Sequence, residues 1–306
     1  MFKTYHHDTR KEVLLMRKRR FWLILLVALL LFPITASADL IAGEEIITLG
    51  EDLSPSDKQK MLDEFGVSEN DVDIVYVTNE EEHKYLGEFI PASQIGSNAI
   101  SSAKITIGNK GDGIVVETKN ITYISNDMYV NALATAGIED AKIQISAPFQ
   151  VSGTGALTGI IKAYEVQSGE KIDEEQKLIA NEEMVLTSDL VKDGVDEENA
   201  TEFFRKVKER ISEENPKSDQ DIRTIIQEVA KELGITLDDQ LLDKLVELFK
   251  KIKDLNIDWN KVNDTLKSAK DKWDDFVSSE EGKGIIDAIV NFFKAVWNWF
   301  ISVFSK

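Results

Sequence analysis

The sequence predicts an α/β domain, a mixed sheet with flanking helices, followed by an all-α helical module. Three observations carry that prediction. Residues 121–165 set out a strand, a helix, a strand and a second helix in 45 positions, the least charged stretch after the leader. Two further β-rich runs, 103–108 and 114–119, stand just before it. After Gly169 the strand signals stop, and apolar residues recur only at helical spacing.

Residues 1–38 have the order of a secretory signal peptide. A basic region ends in Arg17-Lys18-Arg19-Arg20, an apolar run fills 21–32, and Ala36-Ser37-Ala38 precedes Asp39, so cleavage is expected after Ala38. The apolar run is shorter than the roughly 20 residues a membrane-spanning helix needs. An uncleaved anchor is the competing reading, because 21–38 is almost free of charge. Either way the remainder is expected outside the cytoplasm, secreted or held in the cell envelope.

From 39 to 192 the pattern reads as the α/β domain. Residues 46–49 suit a strand, and Ser54-Pro55-Ser56-Asp57 suits a capping box with proline at the first helical position, followed by Met61, Leu62 and Phe65 and stopped at Gly66. Residues 72–77 suit a buried strand and 80–89 a polar helix ending near Pro91. The runs 103–108 and 114–119 around Asn109-Lys110-Gly111-Asp112-Gly113 predict a hairpin, hence a sheet with an antiparallel pair near its middle or edge.

Residues 121–124 make a short strand, Ser125-Asn126 an N-cap, and Tyr129, Ala132, Leu133 and Ala136 one helical face. Gly137 ends that helix in the left-handed conformation that costs glycine nothing. The alternating Ala141, Ile143 and Ile145 follow as a strand running to Ala147-Pro148. Ser152 is placed to cap the next helix, whose apolar side is Leu157, Ile160, Ile161 and Tyr164, while Gly155, Ala156, Gly159 and Ala163 keep it slim enough to lie close to a sheet. The order of 47–77 recurs in 121–145, and KMLDEFGV aligns without gaps on NALATAGI. This is either an internal repeat of two βαβα halves or two similar turns that arose separately.

From 193 to 306 the chain reads as helices, preceded by one at 174–191. Residues 197–211 carry Phe203, Phe204, Val207 and Ile211 on one face, and Asn215-Pro216-Lys217 breaks the chain. Ser218 opens a helix with Ile222, Ile225, Ile226 and Val229, closed by Gly234, and Thr236 opens another with Leu242, Leu245, Phe249 and Ile252. Trp259, Val262, Leu266, Ala269, Trp273 and Phe276 follow at spacings of three and four, as in an antiparallel hairpin or short coiled coil. The last helix, 285–304, confines its polar residues to one narrow stripe and is otherwise apolar. Phe292, Phe293, Trp297, Trp299 and Phe300 suit a buried bundle helix, contact with a membrane, or a protein partner.

Charge and composition exclude several functions. The chain carries a net charge of −19, and loss of the leader, which holds seven of the 36 Lys+Arg and two of the 55 Asp+Glu, would make it −24. Such a surface repels nucleic acid, which is therefore not an expected partner. Without cysteine there is no disulfide and no thiolate metal site.

After the leader, His83 is the only histidine, so a histidine-based triad would have to use it, and a multi-histidine metal site is ruled out. The stretch Asn256-Ile257-Asp258-Trp259-Asn260 has the alternate oxygens of a calcium loop, but Lys261 and Lys267 occupy the positions of its glycine and its bidentate glutamate. No metal site and no cofactor are expected. Ser152, Gly153 and Gly155 are the candidate ligand-binding residues, since a glycine-rich turn entering a helix can offer bare N–H groups to an anion. The competing reading is that these glycines let the helix pack closely.

The segments ITLGEDLSPSDKQKMLDEFG and NALATAGIEDAKIQISAPFQVSGTGALTGIIKAYE, together with the signal peptide, resemble the YpuA-like family of exported proteins of Gram-positive bacteria, which carries a domain of unknown function. The resemblance runs from about Ile46 to the helices before Trp259 and implies an envelope setting. It brings no catalytic residues. The expected role is a non-catalytic binding or structural factor. The alternatives are an envelope hydrolase using acidic residues or Ser152, and a membrane-associating protein acting through 285–304.

Overall fold

Residues 41–169, 171–255 and 257–278 are described by the computed structural model, with side chains to 268. The sheet starts at β1 (Glu45–Gly50) and crosses through helix α1 (Pro55–Phe65) to the parallel strand β2 (Asp73–Val77). Pro55 occupies the first helical turn and Gly66 the left-handed exit, with φ 69°. The Ser54 hydroxyl accepts from the Asp57 N–H at 3.1 Å, but the Asp57 carboxylate accepts from that hydroxyl at 2.7 Å instead of the Ser54 N–H. Half of the predicted capping box is therefore made. A complete box forms at α2 (Asn79–Leu86), where Thr78 and Glu81 satisfy one another's N–H groups, and Ser218 and Asp221 form another further along the chain.

After a short helix α3 (Ala92–Ile95) come β3 (Ser102–Ile107), β4 (Ile114–Ile121), α4 (Asn126–Thr135), β5 (Ala141–Val151) and α5 (Thr154–Ser168). The strand order is β2-β1-β3-β5-β4, with parallel pairs at both edges and antiparallel pairs joining β3 to β1 and to β5. The sheet is mixed, as expected, but the hairpin is not formed: β5 lies between β3 and β4. Asp140 explains the insertion. Its carbonyl accepts from the Gly108 N–H at 2.9 Å and its carboxylate from the Gly113 N–H at 2.6 Å, so the glycine loop straddles the start of β5 instead of closing.

β5 also runs past Pro148, where a strand end was expected. Beyond Ser146 it has outrun β3, and its register with β4 shifts between Lys119 and Ile121, so the missing proline N–H leaves no ladder position empty. Asn120, at φ 60°, seals the shift by donating to the Ala147 carbonyl at 2.7 Å.

Alternation sends Ile46, Ile105, Ile143 and Val116 to one face, where α4 and α5 cover them with Leu133, Leu157 and Ile160. Ile47 and Leu49 point the other way, onto Met61, Leu62 and Phe65 of α1. The two parallel crossovers thus step in the same direction along the sheet with their helices on opposite faces, and so have opposite hands, although one hand is strongly favoured in general. The two βαβα halves share an order of elements and not an arrangement, which removes the reading of a structural repeat.

Helix α6 (Glu174–Lys192) gives Ala180 and Met184 to the sheet-side core and Ile179, Leu186 and Leu190 to a second, helical core. That second core is built by α7 (Glu197–Glu214), α8 (Asp219–Glu232) and α9 (Asp239–Asp254), with Phe203, Phe204 and Phe249 in mutual ring contact. Helix α9 begins one turn fragment later than predicted, because Asp238, not Thr236, caps it through the Leu241 N–H. Helix α10 (Trp259–Ser278) departs from the predicted hairpin: Val262 and Leu266 enter the sheet-side core, and the helix lies on α4, α7 and β4. Residues 285–304, with Phe292, Phe293, Trp297, Trp299 and Phe300, lie outside the described residues, as does the leader.

Candidate functional site

The glycine-rich turn before α5 is covered by the chain itself. Ser152 does not cap the helix; its hydroxyl lies 3.1 Å from that of Thr154, and Gly153 takes the cap position at φ 89°. A side chain on Gly153 would meet Ile121 at 2.4 Å and the Tyr129 hydroxyl at 2.6 Å. That hydroxyl donates to the Gly153 carbonyl at 2.5 Å. At Gly155 a Cβ would stand 1.9 Å from a carboxylate oxygen of Glu82, and at Gly159 it would stand 2.8 Å from Val77. The glycines therefore serve close approach of α5 to α2, α4 and the sheet.

The Glu82 carboxyl packs against Gly155 in the first turn of α5. This side chain is 4% exposed, and burial pushes its carboxyl up to about 8, with Asp52 adding to the rise and a hydrogen bond from Asn79 opposing it. The end of α5 favours the anion by about 0.3–1 kcal/mol, too little to cancel that burial. Burial also pushes the Tyr129 phenol upward. Sequence reading takes 80–89 as a polar helix and gives Glu82 no inward role. The missed signal is that Glu82, Tyr85 and Leu86 share one helical face, and in so short a helix that face is the buried one.

His83 approaches the Gly96 carbonyl at 2.9 Å through Nε2. No hydrogen bond among the described residues joins it to Ser152.

A second buried polar group lies where α4, α6 and α7 meet. Lys208 and Glu183 are fully buried and 2.7 Å apart. Lys208 also donates to the Asn131 carbonyl at 3.0 Å, and Thr135 donates to Glu183. Burial pushes the Lys208 ammonium down and the charge of Glu183 holds it up. Every member has a partner, which is how such a pair is tolerated. It ties the two cores together.

An open cavity lies elsewhere. A cleft of about 740 Å³ lies between the turn after α4, the start of α6 and the passage from α9 to α10. Its floor is apolar: Ile138 and Val262 are buried, and Tyr164, Ile172 and Ile257 are half-buried. Its rim carries Glu139, Asp173, Glu175, Asp254 and Asp258 with Lys171 and Lys261.

Two of these carboxylates are N-caps. Asp173 accepts from the Glu175 N–H at 2.8 Å, and Asp258 accepts from the Asn260 N–H at 3.0 Å. Asp258 therefore starts α10 and does not begin a calcium loop, and among the described residues no three acidic or histidine side chains converge to hold a metal. Lys261 pairs with Glu139 at 2.8 Å, which raises its ammonium pKa. Thr265, 5% exposed, lines the cleft, and its hydroxyl has no hydrogen-bond partner among the described residues. The volume falls within the range of small-molecule sites, although the accessible lining is more polar than is usual for them.

The framework is that of an α/β protein with a helical C-terminal region and an open, charged cleft where sheet-side and helical elements meet. The chain belongs to the family described as protein of unknown function (DUF1002), whose model matches residues 49–269. It is 48% identical over 291 residues to the uncharacterized protein YpuA of Bacillus subtilis (strain 168), an alignment covering 94% of this chain and 100% of that protein. No solved structure matches it. The resemblance drawn from the VSGTGALTGIIKAYE segment and its companions is therefore shown.

Proposed function

We propose that this protein is an exported factor of the cell envelope that holds a polar ligand in the cleft beside α6 and α10 without turning it over. The cleft carries the reading: about 740 Å³, open, apolar at its floor and charged at its rim. The basic, apolar, small-residue order of 1–38 supports export. The hydrolase alternative through Ser152 has less support, since its hydroxyl faces Thr154 and His83 faces a backbone carbonyl, so among the described residues no base is hydrogen-bonded to that nucleophile. In this reading 39–192 is the α/β part and the helical part begins at 193.

Fractionation of cells into cytosol, membrane, wall and medium tests export. A chain recovered outside the cytosol and beginning at Asp39 is the expected result; recovery from cytosol with Met1 attached refutes it. Hydrogen exchange with and without solubilised wall fragments tests the cleft, with slowed exchange expected at 136–139 and 171–176.

A further inference from the structure

We propose that the cleft takes a short peptide bearing a free ammonium group next to an apolar side chain; this rests on the cleft being the binding site. Five carboxylates face two lysines across the rim. The N-termini of α6 and α10 end there too, and each contributes about half a positive charge. The C-termini of α4 and α9 end there as well and contribute about half a negative charge each, so an excess of about three negative charges remains. A ligand that enters with a positive charge meets this excess; an anionic one is repelled.

The carboxylates are not equal. Asp173 and Asp258 are committed to their helix caps, and Glu139 to Lys261. Glu175 has no ion-pair partner among the described residues, and Asp254 has only Lys253 at 3.5 Å. These two are free to meet an ammonium. Because no three carboxylates among the described residues converge, the site suits a diffuse organic cation better than a divalent metal.

The remaining groups select a peptide. Thr265, 5% exposed, lines the cleft with a hydroxyl that has no protein partner among the described residues, and the Gln176 amide, whose nitrogen donates to the Thr135 carbonyl at 3.0 Å, keeps its oxygen for an incoming N–H. The hydroxyl can donate to a ligand carbonyl and the amide oxygen can accept a ligand N–H, the two halves of a peptide group. Ile172, Ile257 and Tyr164 supply the surface for the apolar side chain.

The test is calorimetric titration of the full chain, in mild detergent, with the tripeptide Ala-Lys-Leu and with its counterpart acetylated at both amines. The free peptide is expected to bind roughly tenfold or more tightly than the acetylated one, and more weakly as salt is raised. Glu175→Gln with Asp254→Asn should abolish that preference, Thr265→Val should weaken both peptides, and Glu213→Gln, remote from the cleft, should change nothing. Equal binding of the two peptides overturns the ammonium assignment while leaving the cleft as a site. No binding of either overturns both. A preference that survives Glu175→Gln with Asp254→Asn, or that Glu213→Gln weakens as much, places the ligand elsewhere and overturns the inference.

Discussion

Replacing Glu82 by glutamine should flatten the pH dependence of stability over a defined window. An ordinary glutamate ionises near 4.5, and Glu82 in the folded chain ionises near 8 because burial disfavours its charge. Below 4.5 the carboxyl is neutral in both states. Between 4.5 and 8 the unfolded chain has lost its proton while the folded chain keeps it, so stability falls steadily as pH rises, and above 8 it stays at the lower level. At 1.36 kcal/mol per pH unit the loss is about 5 kcal/mol, and the folded chain takes up one proton relative to the unfolded one.

Glutamine keeps the size and a hydrogen-bonding end and cannot ionise. Urea denaturation from pH 4 to 9 measures the effect. The Glu82→Gln chain should gain on the wild type progressively, reaching an advantage of about 5 kcal/mol at pH 8.5, with the two converging near pH 4. Parallel pH profiles for the two proteins would mean that Glu82 is ionised in the folded state, and the account of α5 seated on a neutral carboxyl would be wrong.

Gly155→Ala should cost about 2 kcal/mol, since its methyl would overlap Glu82, and the same change made in a Glu82→Ala chain should cost nothing or stabilise by up to about 1 kcal/mol through helix propensity. Lys208→Met alone should destabilise by about 3–5 kcal/mol by stranding Glu183, whereas Lys208→Met with Glu183→Leu should recover most of the loss; chemical denaturation of the single and double variants reads both. Deleting 285–304 should release the protein from the membrane fraction if that segment is the contact, and unchanged partition after deletion would remove the membrane-associating alternative.

Period and punctuation determined the elements. The apolar alternation of 103–107 and 141–145, the caps at Ser54, Ser125 and Ser218, and the left-handed exits at Gly66 and Gly137 are local facts, because a backbone conformation or a cap is set within four or five residues. The α/β-then-α order and the family were legible for the same reason. Tertiary structure decided what those elements meet. β5 enters between β3 and β4 because Asp140, 27 residues past Gly113, holds their loop open.

Glu82 turns inward because α5 is slim enough to receive it, and Lys208 is tolerated in an apolar stripe because Glu183 arrives from another helix. The cleft is assembled from three segments more than 100 residues apart at its extremes, none of which carries a motif. Local preferences act over a few residues and can be read from a string. Burial and pairing of charge act through space, and only the folded chain says which charges share it.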